Sequence, residues 1–416
     1  MSIEDTATPT VPGADTHAGL PPPPAPVSGP SWPWIVGGVL AVLLAVGILF
    51  VAFARAASVG VDEYILAPGS ATDSASSIIV DGAETFPPEG EIAFTTVSIR
   101  RNITIWEWFT SRFDDSSELV PAERIDGTRT TEETRQVTQF QMDVSQDTAT
   151  LVALNYLGYE LVPQVDGAFI LEIVPDSPAQ EGLQLGDLIT DVNGTPIRSS
   201  EGLGQVIRSL APGDPVDITL RRAGTDTGDD GSAPVTTTVE VTVVLAEHTD
   251  IEDAGFLGVR IETPVRADAP FEVGFDVGRV RGPSAGLAFS LAILDVLTEG
   301  ELTGGMRVAT TGTISVGGTV GPVGAVPQKI EAAKREGITL FLVPPTEYED
   351  AIDAADGDIE VRCVQTFDDA VLVLVEFGGN GVAVAEARGA ATPEASASLV
   401  DPNDGFVSCA DVVGAA

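Results

Sequence analysis

The sequence predicts an α+β protein in which a single N-terminal transmembrane helix precedes at least two compact domains that mix helices and strands. Three observations carry that expectation. One uninterrupted apolar run near the N-terminus has the length of a bilayer-crossing helix. A central stretch alternates strand-like segments around one short helix, and a C-terminal stretch sets glycine-punctuated strands between two helix patterns. At 416 residues there is room for two or three domains. The 62 Asp+Glu against 21 Lys+Arg leave a formal net charge of -41. Such a charge repels phosphate backbones, which excludes nucleic acid as a partner.

Residues 1–31 are rich in Pro, Ala and acids, with PPPPAP at Pro21–Pro26, and have too little apolar surface to bury a core; they read as a disordered tail. The segment 32–55 reads as the membrane helix. Its core, Trp34–Ala54, has 21 residues without a charge or an interior proline, and Trp32 and Trp34 suit the membrane interface. A cleaved signal peptide is the alternative, since Ala54-Arg55-Ala56 resembles a cleavage site. The long apolar run and the lack of a basic leader speak against it. Arg55, on the C-terminal flank, is one weak vote for a cytoplasmic body. The strongly acidic remainder weighs toward a cytoplasmic N-terminus and an extracellular body. From 56 to 162 the text is mixed, with strand-like "IAFTTVSIRRNITI" and helix-like "TEETRQVTQFQMDVSQDTATLVALNYLGY", and no catalytic motif.

Residues 163–246 hold "GAFILEIVPDSPAQEGLQLGDLITDVNG", then a short helix pattern and two closing strands. The order SPA, GL-x-x-GD-x-I, V-N-G, helix, strands resembles a PDZ domain of the bacterial protease type. That resemblance implies a peptide added as a strand beside Phe169–Ile173, with its carboxylate at the turn near Gly167, Ala168, Phe169 and Ile170. Leu203 and Ile207, one turn apart on the helix, would line the groove, although each reads equally well as core. "GTDTGDDGSAP" between the closing strands reads as a solvated loop, and 247–255 as a linker.

In 256–380 the run "RGPSAGLAFSLAILDVLTEG" places Ser284 at the start of an apolar helix. Taken alone, such a serine is most simply a helix cap. The available partners change that reading. The chain has only two histidines, His17 in the tail and His248 in the linker, and neither is placed to serve a Ser-His-Asp triad. Its only lysines are Lys329 and Lys334. Lys329 falls in the first turn of a helix opened by Pro327, where the helix dipole disfavours an ammonium ion. Lys334 shares a polar face with Glu331 and Arg335 and reads as solvated surface. A serine, a readily deprotonated lysine and a helix-start site for an oxyanion make a hydrolase without histidine.

These residues resemble the proteolytic domain of the Lon family over roughly Phe256 to Phe377. The resemblance implies a ribosomal protein S5 domain 2-like α/β fold. It makes Ser284 the nucleophile, Lys329 the general base and Thr311, in "ATTGT", the hydroxyl that hydrogen-bonds the lysine. Taken with the apolar helix and "YILAPGSA" at Tyr64–Ala71, the whole chain resembles the membrane-anchored, PDZ-containing Lon-like proteases of Gram-positive bacteria. Polypeptides are the implied substrates, in part through free C-termini, and a lipid bilayer the implied partner. Ring-like homo-oligomers occur in the family, but no residue pattern here reports one. Arg281 stands where the family often has an acid, and no G-x-x-x-x-G-K-[ST] occurs, so the expected activity is ATP-independent. No H-E-x-x-H or Cys/His cluster occurs, so neither metal nor cofactor is expected. Two other readings stay open: a carboxyl-terminal processing protease, and a catalytically degenerate PDZ scaffold. The last part, 381–416, reads as a flexible tail containing Cys409; a bridge from Cys363 to Cys409 would be worth roughly 3–4 kcal/mol in the loop-closure model if unstrained.

Overall fold

The structure is a computed structural model, and it describes residues 32–57, 60–114, 116–127, 129–223, 236–249 and 251–380. Two units make up the chain, Met1–Val59 and Gly60–Ala416. The expected N-terminal and C-terminal tails, the solvated loop at 224–234 and Cys409 all lie outside the described residues.

In the first unit, helix α1 runs Trp32–Ala57. Among the described residues no helix is long and apolar enough to cross a membrane. The segment expected to span a membrane is thus helical, and its described apolar length does not add a span to it.

The second unit begins with strands β1 (Glu63–Asp73), β2 (Glu91–Arg100) and β3 (Glu118–Pro121), followed by helix α2 (Thr131–Tyr156). Next come strands β4 (Ala168–Ile173) and β5 (Leu188–Val192), helix α3 (Ser200–Arg208), and strands β6 (Pro215–Ala223), β7 (Thr236–Val244) and β8 (Val259–Glu262). Helix α4 (Gly286–Val296), strand β9 (Arg307–Thr310), helix α5 (Val326–Arg335), strands β10 (Leu340–Val343) and β11 (Glu360–Cys363) and helix α6 (Phe367–Glu376) complete it.

One six-stranded sheet has the order β11-β10-β9-β2-β1-β3. Strand β9 pairs in parallel with both β2 and β10, and β1 pairs antiparallel with β2 and β3. Strands of the region 56–162, read from the sequence as mixed, form half of the sheet that 256–380 completes. Local patterning carries no trace of a pairing between segments so far apart. Alternation along the strands fills both faces of the sheet. Ile92, Phe94, Val308, Leu340 and Leu342 point into one core, and Ala93, Ala309, Phe341 and Val343 into the other. Helix α4 is buried at every position, as a helix apolar all round must be. Phe289 on α4 meets Phe94 edge-on at 5.5 Å and Phe275 at 5.1 Å between ring centroids.

The segment between those halves forms a second sheet, in the order β7-β6-β5-β4-β8, closed by α3, whose Leu203 joins the core of Ile170, Ile189 and Ile218. The Gly-Asp step of its sequence motif has a physical reason here. Asp187 is fully buried and is held by two bonds from Arg222, Nε to Oδ1 at 2.7 Å and Nη2 to Oδ2 at 2.6 Å. No cysteine among the described residues is free, and Cys363 is disulfide-bonded.

Candidate active site

Ser284 sits in a single 3-10 turn, Pro283–Ala285, immediately before α4. Gly282 opens that turn at φ 99, ψ 157, a conformation that favours glycine. Neither the turn nor α4 is capped by a side-chain hydrogen bond, so Ser284 is not spent as a cap. The helix start differs from expectation in one respect. The Gly286 amide donates to Pro283 O and the Leu287 amide to Gly312 O at 3.2 Å, so neither is available to an oxyanion.

Lys329 enters from the opposite side. Helix α5 starts after Ala325, a non-glycine residue at φ 57, and carries proline in its first turn. The fourth residue of the helix is Lys329, only 4% exposed. Its Nζ donates to Thr311 Oγ1 at 2.9 Å, and Thr311 Oγ1 donates in turn to Ser284 O at 3.3 Å. The Gly312 amide donates to the same carbonyl at 3.0 Å. Burial lowers the Lys329 amine to about 8, against a weak opposing pull from Glu347. The residues singled out as Ser284, Lys329 and Thr311 thus converge, with Thr311 tying the lysine to the backbone of the serine.

Ser284 and Lys329 both line a cleft of about 690 Å³ with apolar walls from Phe94, Val97 and Ile99. Arg281 stands exposed on its rim. Lys334 lies elsewhere, held by Asp358 at 3.2 Å and Glu331 at 3.8 Å, a surface pairing and not a freely solvated group. Among the described residues no group of acidic, His or Cys side chains is arranged to hold a metal ion.

The second expected site is moved. Strand β4, which carries Ala168, Phe169 and Ile170, has no open edge, because β5 pairs on one side and β8 on the other, with Ile261 opposite Ile170 and Glu262 opposite Phe169. Gly167, at φ 97, precedes this interior strand. The edge strand is β8, and between it and α3 lies a cleft of about 400 Å³ lined by Leu203, Ile207, Val259 and Ile261. Leu203 and Ile207 therefore do face a groove, but a different strand forms its other wall. Of the residues read as a linker, 247–255, Glu247 pairs with Gly255 and the Gly255 amide donates to Leu210 O at 2.8 Å, which joins them to this module. The turn "GFLG" at Gly255–Gly258 is clamped by the SPA motif: Ser177 Oγ donates to Gly258 O at 3.2 Å, and the Ala179 amide to Leu257 O at 3.0 Å. Gly258 is required at φ 83, since a Cβ there would lie 2.1 Å from Ser177 Cβ. The paired glycines before the alternating "VRIE" were the signal available in the sequence.

Residues 155–241 match the PDZ domain model, and residues 277–376 match the Lon protease (S16) C-terminal proteolytic domain. The Lon protease of Haemophilus influenzae is 30% identical over 129 residues, 30% of this chain and 16% of that protein. Lon protease 2 of Bacillus subtilis is 34% identical over 102 residues, 24% of this chain and 18% of that protein. The chain thus spans less than a fifth of the length of these curated relatives. A PDZ domain of an SdrC-like protein from Listeria monocytogenes is 25% identical, covers 23% of this chain and 87% of that one, and has a TM-score of 0.19. The chain carries a PDZ domain and a Lon-type proteolytic domain.

Proposed function

We propose that the chain is a serine endopeptidase working through a Ser284–Lys329 dyad without ATP. The buried lysine hydrogen-bonded to Thr311 beside the Ser284 turn is the observation that carries this reading. The neutral Lys329 amine takes the proton of Ser284 Oγ as that oxygen bonds to the substrate carbonyl carbon. The resulting ammonium returns the proton to the departing amine, leaving an acyl-enzyme, and water then cleaves the ester by the same proton route. Thr311 fixes the direction of the amine. A fluorophosphonate probe should phosphonylate the protein at Ser284, forming an Oγ–P bond as fluoride leaves, and fail on Ser284→Ala; equal labelling of both would overturn the assignment. The degenerate scaffold has less support, since a buried lysine held against a hydroxyl offers a scaffold nothing.

We further propose that polypeptides with a free apolar C-terminus add as a strand to the open edge of β8, under α3. Gly204→Phe tests this, because a Cβ at Gly204 meets only the mobile end of Arg208 and the ring would fill the groove. Long substrates should be processed at least tenfold more slowly, roughly the loss of one anchoring side chain, while short reporter peptides are cleaved as before. Parallel losses for both substrates would make the module a structural support.

Anchoring through α1, with the body outside the cell, is the remaining part of the proposal; the uncharged run Trp34–Ala54 supports it. Removing residues 32–57 should move the protein from the membrane pellet to the supernatant. Retention in the pellet would discard the anchor.

A further inference from the structure

Helix α2 lies between the two sheets, and its two faces do different things. A capping box of Thr130 and Glu133 fixes its start. One face meets the catalytic turn on both sides of the nucleophile's proline. The Gly282 amide donates to Thr138 O at 3.0 Å, and Ser145 Oγ donates to Pro283 O at 3.1 Å. Seven residues separate Thr138 from Ser145, so they lie two turns apart on one stripe of the helix. Ser145 is only 5% exposed, and any Cβ at Gly286 would lie 2.9 Å from its Oγ, so hydroxyl and turn are fitted closely. From the opposite side of α2, Phe140 stacks on Phe169 of β4, with ring centroids 3.5 Å apart and planes 4° apart. Asp147, also on that side, accepts from the Ala267 amide at 3.4 Å, just beyond β8. Between these faces Gln141 reaches Glu262 at the end of β8, where burial raises the carboxyl above its usual range and the hydrogen bond from Gln141 opposes the rise.

We propose that Ser145 is a positioning residue for the nucleophile, and that α2 makes the seating of the PDZ sheet a condition of that positioning. The backbone carbonyl of Pro283 is the group just before Ser284, so a bond to it sets where Ser284 Oγ points. The reading rests on Ser284 being the nucleophile. Because α2 contacts β4 and the end of β8 while its other face holds the turn, a displaced PDZ sheet shifts the turn that carries the serine.

The test is the rate of phosphonylation of the full chain by a fluorophosphonate probe, resolved into probe affinity and maximal rate. Ser145→Ala should lower the maximal rate roughly tenfold, equivalent to about 1.4 kcal/mol, with affinity and the pH midpoint set by Lys329 unchanged. Phe140→Ala should lower the same rate at least threefold from the far face. A role in stability alone would lower the melting temperature and leave the labelling rate of the folded protein unaltered. Maximal rates within twofold of wild type in both variants overturn the proposal, and an effect of Ser145→Ala alone overturns its PDZ half. If Ser145→Ala does not fold, Phe140→Ala decides by the same measurement. Ser284→Ala separates the two layers: labelling that persists there refutes the dyad, whereas labelling lost there but normal in the α2 variants refutes only the positioning.

Discussion

Lys329→Arg should reduce peptide hydrolysis by at least about 10³-fold although charge and length are nearly kept, because a guanidinium does not give up its proton in the working pH range. Lys334→Arg, on the other side of the same helix and paired to Asp358, should stay within about twofold of wild type. Equal losses in the two variants would sink the assignment. The wild-type rate should rise with pH through about 8, since the amine and not the ammonium accepts the serine proton. A rate still climbing beyond pH 10 would mean that the amine is not depressed. Stability follows the same group. With the folded value near 8 and the ordinary value 10.5, the unfolded chain binds more protons between them, so this contribution grows as pH rises through that window. Lys329→Met should therefore be inactive yet melt higher than wild type below pH 8, where the native protein must otherwise bury a charge or forgo it.

Phe289→Ala should cost about 3–5 kcal/mol, a large part of the ~5–15 kcal/mol that holds a domain folded. The ring is fully buried and packs on both Phe94 and Phe275, so its removal leaves a hole ringed by aromatic groups that cannot collapse together. Denaturant unfolding of the purified protein measures it; a loss under 1.5 kcal/mol would show that α4 repacks. Activity should fall with stability, because α4 begins two residues beyond Ser284.

Much of the candidate site's placement was legible because it lies in short contiguous text. "GPSAG" before an all-apolar helix, and one of only two lysines in the first turn of another, pointed to the residues that meet at Thr311. What was illegible depends on pairing at a distance. Strand β4 reads like a peptide-binding edge, but β8, some ninety residues later, takes that edge, and nothing in "AFILEI" reports it. The joining of β9 to β2 is hidden for the same reason, since each strand alternates correctly whichever neighbour it has. Ser145 escaped notice because a serine inside a long polar helix pattern has no local signature; its role comes from Pro283, 138 positions away.

That strand pairing also sets an order of events during synthesis. Arg307 of β9 binds Glu91 of β2 across 216 positions, so the sheet beneath the cleft cannot close until nearly the whole chain has emerged. The PDZ strands, all complete by Glu262, can form first and stay folded while the remainder is still being made. Long-range closure of this kind is slow, because the entropy of the intervening loop must be overcome before the contacts reward it. A chain that stops short of Cys363 thus presents the folded PDZ module without the completed six-stranded sheet on which the candidate site is built.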